Sequence, residues 1–155
     1  MSPRIATAQR VDRDALLDFV RTRHRATLVT HKRSGGLQLS LVTCGVGEQG
    51  EVLISTYPQR AKAANIRRNP LVSLLIQSDD WNDAYVQLDG TARVIDLPDS
   101  VEPLVEYFRC ISGEHPDWDE YRQAMRDQGK SLIAVTVTDW GPIATGGFPP
   151  ELAND

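Results

Sequence analysis

No apolar run in the chain approaches the ~18 residues of a membrane span, and Met1 to Val20 lacks the apolar centre of a secretory leader. The expectation is a cytoplasmic protein with no membrane contact. Cysteine is scarce: Cys44 and Cys110 stand far apart, without Cys-x-x-Cys spacing, and read as two small buried thiols in a reducing compartment. The three histidines, His24, His31 and His115, have no zinc spacing, so no metal site is expected. A Gly-x-Ser-x-Gly elbow and a Gly-rich phosphate loop ending in Gly-Lys-Ser/Thr are both missing. The Gly35-Gly36 pair belongs to a hairpin turn and is no dinucleotide fingerprint. Aromatic residues make up only 6% of the chain and do not interleave with the basic ones. With no nucleic-acid motif and an acidic total charge, a nucleic-acid partner is not expected.

What remains is 155 residues with 41% apolar and 25% charged composition, which suits one soluble domain over 1–155 with a real core. The net charge of −4 is unevenly spread. Residues 1–78 hold 12 Lys and Arg against 5 acids, a balance of +7, whereas residues 79–155 hold 5 against 16, a balance of −11. A face built from the first half would attract an anionic ligand.

Residues 1–11 carry no clear pattern and are expected to be an irregular tail. Asp12 or Asp14 caps a helix with Leu16, Leu17, Phe19 and Val20 on its buried side. Arg25 to His31 reads as a strand, Lys32 to Gly36 as a turn, and the next strand alternates Leu37, Leu39 and Leu41 with Gln38, Ser40 and Val42. Its partly polar side is the one offered to a ligand or an interface. Glu51 to Thr56, Leu71 to Gln77 and Ala84 to Ile95 follow as strands, with a bulge or bend at Gly90. Asp99-Ser100 opens a third helix, and the Asp117/Glu120 spacing predicts a fourth from Asp117 to about Gln128. Ser131 to Thr138 is the sixth strand, and residues 141–155, rich in Gly and Pro, read as a second irregular tail. Six short strands, mostly antiparallel, with a few helices fit a small closed or half-open barrel.

The stretch from Tyr57 to Gln77 is unusual in its charges. A short helix is predicted, with Pro58 at its first position and Asn69-Pro70 as its stop, followed by the Leu71 strand. Arg60 and Lys62 fall in or beside the first turn, where free N–H groups and the helix dipole already present positive potential. No Asp or Glu occurs from Val52 to Ser78 to offset them. Lys62 shares a face with Ala63 and Ile66, while Arg60, Arg67 and Arg68 group on another. Two readings stay open on these residues alone: an anion site for a phosphate or carboxylate, or a solvated basic helix whose lysine snorkels past its neighbours.

Arg60, Lys62, Asn65-Ile66, Asn69-Pro70 and Val72-Ser73-Leu74-Leu75 together resemble the phosphate-binding helix and following strand of the pyridoxamine 5'-phosphate oxidase-like superfamily of flavin and deazaflavin oxidoreductases. Tyr107-Phe108-Arg109 and the stretch Gly113 to Met125 are similar to the mycobacterial, actinobacterial branch that binds coenzyme F420, and the similarity runs from about Phe19 to Val137. The resemblance implies a six-stranded antiparallel split β-barrel, mainly β with helices, paired as a homodimer with cofactor at the subunit interface. It implies that Arg60 and Lys62 hold the cofactor phosphate, with Ser55 and Thr56 donating hydroxyl hydrogen bonds. Gln38, Ser40 and Val42 would line the ring, with Trp81 and Tyr85 as aromatics near it. Glu114, His115, Trp118 and Tyr121 would either shape the cleft or dock their helix on the barrel. No catalytic side chain is assigned, because in such reductases the cofactor carries the hydride.

The function implied is hydride transfer from reduced F420 to a small electron-poor or unsaturated molecule. Alternatives are an FMN enzyme of the pyridoxamine phosphate oxidase kind and a non-catalytic F420 carrier or sensor. Against the FMN alternative, the C-terminal Arg-containing segment that grips pyridoxamine phosphate in such oxidases has no counterpart here, since no arginine follows Arg126.

Overall fold

A computed structural model describes residues 4–153. Its elements in chain order are β1 (Thr7–Gln9), α1 (Arg13–Arg21), β2 (Arg25–His31), β3 (Leu37–Val46), β4 (Val52–Thr56), α2 (Ala61–Arg68), β5 (Leu71–Gln77), β6 (Val86–Ile95), α3 (Val101–Ser112), α4 (Trp118–Gln128), β7 (Ser131–Trp140) and β8 (Ile143–Thr145), before a 3-10 turn at Pro150–Leu152. Six strands close an antiparallel barrel in the order β2-β3-β4-β7-β6-β5. None of the helices among the described residues is long and apolar enough to cross a membrane.

Strand alternation splits the apolar residues into two cores. Leu28, Ile54, Leu74, Ile76, Leu88 and Ile133 point into the barrel, where Leu16, Leu17 and Val20 of α1 join them. Asp12 caps α1 by accepting from the Ala15 N–H at 2.9 Å. Leu53, Leu132 and Ala134 point outward from β4 and β7 and are covered by Leu104, Val105, Tyr121 and Met125 of α3 and α4. α3 and α4 thus cover the outer face of β4 and β7.

The other side stays bare. Leu37, Leu39 and Leu41 of β3 are 53%, 64% and 85% exposed, and Leu71 of β5 is 55% exposed. Pairing of Leu39 with Val29 and of Val29 with Ser73, and of Leu41 with Thr27 and of Thr27 with Leu75, makes this one continuous outer surface. The apolar and polar sides of β3 are therefore reversed from the ordinary rule. Its leucines face out, while Gln38, Ser40 and Val42 turn inward and are half-buried.

Two further departures concern the ends. Residues 7–9 and 143–145, expected to be irregular, pair with each other as Thr7 to Thr145, Ala8 to Ala144 and Gln9 to Ile143. Ala144 also bridges to Tyr85, which ties this small ribbon to the barrel. Residues 1–3 and 154–155 of those tails lie outside the described residues.

The bend expected at Gly90 is present: β6 pairs Asp89 with Asp139 but Gly90 with Val137, leaving Thr138 as the extra residue. A Cβ at Gly90 would strike the backbone oxygen of Thr136 and the side chain of Val135. Gly90→Ala should therefore destabilise the protein by ~1–3 kcal/mol, as overpacking does. A urea unfolding midpoint equal to that of the parent chain would contradict this close approach.

Candidate functional site

β3 is bonded to β4 only through Cys44–Ile54, Gly45–Leu53 and Val46–Val52. From Leu37 to Thr43 the strand keeps β2 on one side and, among the described residues, has no strand on the other. The barrel is split there, and α2 stands at the split. Asn65 of α2, 7% exposed, donates to Thr30 Oγ1 at 3.0 Å and to Gln38 Oε1 at 3.1 Å, so the helix is fastened to β2 and β3 by one buried amide. Tyr107 of α3 donates its hydroxyl to the Thr43 carbonyl at 3.1 Å near the end of the free edge. Burial pushes the Tyr107 phenol up, an effect partly offset by Ser55 alongside it.

The chain reaches α2 through a turn in which the Arg60 N–H bonds the Tyr57 carbonyl at 3.1 Å. Pro58 lies in this turn, not at the first helical position, because the helix starts three residues later, at Ala61. Proline's fixed φ suits a turn as well as a helix start. Arg60 is the N-cap residue, and no side chain caps the helix or places an acid in its first turn. The Ala63 and Ala64 N–H groups bond the Arg60 carbonyl at 3.0 and 3.2 Å, but a guanidinium cannot accept a hydrogen bond, so the N–H groups of Ala61 and Lys62 have no acceptor among the described residues.

Of the four basic residues here, two are already bound. Arg67 donates to the Pro58 carbonyl at 3.0 Å and to both oxygens of Asp96 at 3.0 Å. Arg68 donates to the His31 carbonyl and to Asn65 Oδ1. Arg60 and Lys62 form no ion pair among the described residues. Lys62 sits half-buried beside Ala63 and Ile66, and burial followed by the Arg60 charge pushes its ammonium below the ordinary lysine value. An incoming anion would favour the charged ammonium and so oppose both effects.

Ser55 and Thr56 fall on opposite sides of β4, as neighbours on a strand must. Thr56 is buried, with its hydroxyl 3.5 Å from the Tyr57 carbonyl. Gln38, Ser40 and Val42 lie along the unpaired stretch of β3, which covers ~13 Å from the first to the last of them.

Trp81 and Tyr85 lie beyond the far end of β5 from α2. Trp81 is 91% exposed on a loop pinned by Arg25–Asp79 at 2.8 Å and Arg23–Asp83 at 3.3 Å. It forms part of two clefts. One, of about 490 Å3, runs to Leu41, Val42 and Thr43; the other, of about 600 Å3, includes Tyr85, Leu75, Arg4, Gly146 and Gly147. Val42, Trp81 and Tyr85 are thus linked at this end, and Gln38 joins α2 at the other.

The Glu114 to Met125 segment docks α4 onto α3. Phe108, His115, Trp118 and Tyr121 pack with ring centroids 5.1–5.7 Å apart. Glu114 accepts from Trp118 Nε1 at 2.9 Å and from Arg109 Nε at 3.0 Å. Tyr121 donates to the Leu104 carbonyl at 2.9 Å. Of the readings open for these residues, docking is the one whose contacts are present.

Sequence reasoning left several members of the site without a role. Asn65 was legible only as part of a motif. Tyr57 and Lys130 come together because Thr56 pairs with Ser131, a register that no local pattern announces. Arg4, Gly146 and Gly147 belong to the supposed tails.

A family model described as pyridoxamine 5'-phosphate oxidase matches residues 13–144. The chain belongs to the pyridoxamine 5'-phosphate oxidase family. This family includes oxidoreductases, and its match spans every barrel strand and α1 to α4. Among solved structures, the chain resembles Rv2991, a conserved hypothetical protein of Mycobacterium tuberculosis, at 22% identity over 88% of this chain and 89% of that one, with a TM-score of 0.71. An F420 reductase aligns at 18% identity over 76% and 89% of the two chains, TM-score 0.56. A heme binding protein of Mycobacterium smegmatis aligns at 18% identity over 84% and 54%, TM-score 0.57. At such identities the likeness is one of fold.

Within this family member, Lys62 is the cation whose surroundings most favour an added anion. Lys62→Met, which keeps the aliphatic stem, should weaken binding of a phosphate-bearing ligand by ~1.5–3 kcal/mol, the scale of a charged hydrogen bond, and leave the ligand-free thermal midpoint no lower. The anion favours the protonated amine, so affinity should be flat at low pH and fall as pH rises through the depressed Lys62 value. Isothermal titration across that range checks both, and a pH-independent affinity would remove Lys62 from the site.

Proposed function

We propose that this protein is an F420-dependent oxidoreductase, delivering a hydride from the reduced deazaflavin to a small electron-poor or unsaturated molecule. The observation that carries the reading is the uncompensated pair Arg60 and Lys62 at an uncapped helix start, beside the unpaired edge of β3. The bound cofactor would supply the hydride, and the chain supplies binding, orientation and a shaped cavity.

Arg60 and Lys62 take the phosphate, together with free amide groups of the first turn of α2. Ser55 and Thr56 form the approach to that turn and are the candidate hydroxyl donors. Gln38, Ser40 and Val42, with the free backbone groups between them, border the ring, and Trp81 and Tyr85 flank the end where the acceptor enters. The ~13 Å from Gln38 to Val42 suits a long ligand with an anionic end at α2 and a flat end near Trp81. The bare leucine surface supports a homodimer, because exposed apolar patches of this kind mark interaction sites. Such a pairing would bring a second subunit over the cofactor cleft. A cytoplasmic setting fits a soluble cofactor.

A second reading, an FMN enzyme, is favoured by the family match itself. Fluorescence titration with F420 and separately with FMN, each at two salt concentrations, separates the two. Tight, salt-sensitive binding of F420 with weak FMN binding is expected; preference for FMN would overturn the cofactor assignment. An acceptor that oxidises bound reduced cofactor separates a reductase from a carrier.

For the dimer, Leu41→Glu should convert a dimer to a monomer in sedimentation velocity while keeping native circular dichroism. A parent chain that sediments as a monomer at all concentrations would refute the pairing.

A further inference from the structure

A third unpaired cation faces the same site from a distant part of the chain. Lys130 follows the left-handed Gly129 that ends α4, and its backbone is held at both ends: its N–H bonds the Met125 carbonyl at 3.1 Å, and its carbonyl accepts from the buried Ser100 hydroxyl at 2.8 Å. The pairing of Thr56 with Ser131 sets Tyr57 beside it. Lys130 Nζ lies 4.9 Å from the Tyr57 ring centroid, and Arg60 Cζ lies 6.0 Å from the same centroid.

Neither cation forms an ion pair among the described residues. Asp96, the carboxylate bonded to the neighbouring Ser131, is already committed to that hydroxyl and to Arg67. The two charges share one ring and are no more than about 11 Å apart, roughly a Debye length, so they repel each other through partial screening.

We infer that Lys130 and Arg60, gathered at the Tyr57 ring, form a second anion subsite next to Lys62, which takes a further anionic group of the same ligand. This rests on the cofactor-site reading and deepens it. The ligand is one with carboxylates beyond its phosphate, such as the glutamyl tail of F420, and not one that ends in a single phosphate. Tyr57 fixes the spacing, and Ser100 and Met125 keep Lys130 from following the ligand away.

The test compares the parent chain with Lys130→Gln and Lys130→Arg by titration with F420 carrying several glutamates, with tail-free F420 precursor and with FMN. Loss of about tenfold in affinity for the tailed cofactor alone, restored by Lys130→Arg, is expected. Equal losses for tailed and tail-free ligands, or no loss, would overturn the second subsite. If no deazaflavin or flavin binds at all, thermal shift with tripolyphosphate and with orthophosphate decides independently. A midpoint rise specific to tripolyphosphate and lost in Lys130→Gln keeps the subsite while the cofactor reading falls; no rise sinks the subsite too. Ligand-free midpoints of the variants, expected to match the parent, control for folding.

Discussion

Three residue pairs join β3 to β4, and the shortness of that ladder governs the rest of the molecule. Continued in register, it would set Thr43 opposite Ser55 and Val42 opposite Thr56, and the seam between β3 and β4 would be bonded along more of its length. Instead β3 follows β2 while β4 follows β7. The exposed N–H and C=O groups of an unpaired edge are a liability that proteins usually cover or use. Here the gap is spanned by Asn65 of α2 at one end and by the Tyr107 hydroxyl at the other, with free backbone between. A helix start, an edge with hydrogen-bonding capacity and a half-buried lysine therefore meet along one line.

The same asymmetry appears on the barrel's outer surface. α3 and α4 bury the outward side chains of β4 and β7, helped by the aromatic group around Phe108. The opposite wall has no helix, yet it carries leucine at three alternate positions of β3. Burying one leucine fully is worth ~1.5–3 kcal/mol, so leaving several in water is a considerable forgone stabilisation for a small domain. The bare wall and the split lie on the same strand, which couples any surface pairing to the geometry of the site.

Local signals were legible and long-range ones were not. Asp117 with Glu120 three residues on located the start of α4, and the Asp117 side chain does accept from the Glu120 N–H. The alternation of β5 gave its full span, and Gly90 marked a bulge that follows from the missing Cβ. Alternation in β3 distinguished two sides but could not say which was inside, because the usual rule presumes a covered core and a wet exterior. Glycine and proline near the C-terminus read as an irregular tail, yet Thr7 and Thr145 pair across almost the whole chain, with hydroxyls 2.7 Å apart. Arg60 and Lys62 stood out by the absence of acids around them. Lys130 carried no such mark, since a lysine after a helix-ending glycine is ordinary.

The case for α2 as the working part of the molecule is strengthened by what the other helices do. α1 and α4 both start with an aspartate that bonds a first-turn amide, and both place acids in that turn. A cap of this kind is worth ~1 kcal/mol, and acids near a helix start add a few tenths more. α2 has neither and sets Arg60 at the cap, with the Lys62 ammonium depressed by burial and by that same arginine. One unfavourable choice is commonplace on a protein surface. Three at one turn, in a chain where α1 and α4 have both devices and α3, without a side-chain cap bond, still has Glu102 in its first turn, concentrate unsatisfied positive potential beside the free edge of β3. The physical remedy is a bound anion, which the phosphate of the proposed cofactor would supply.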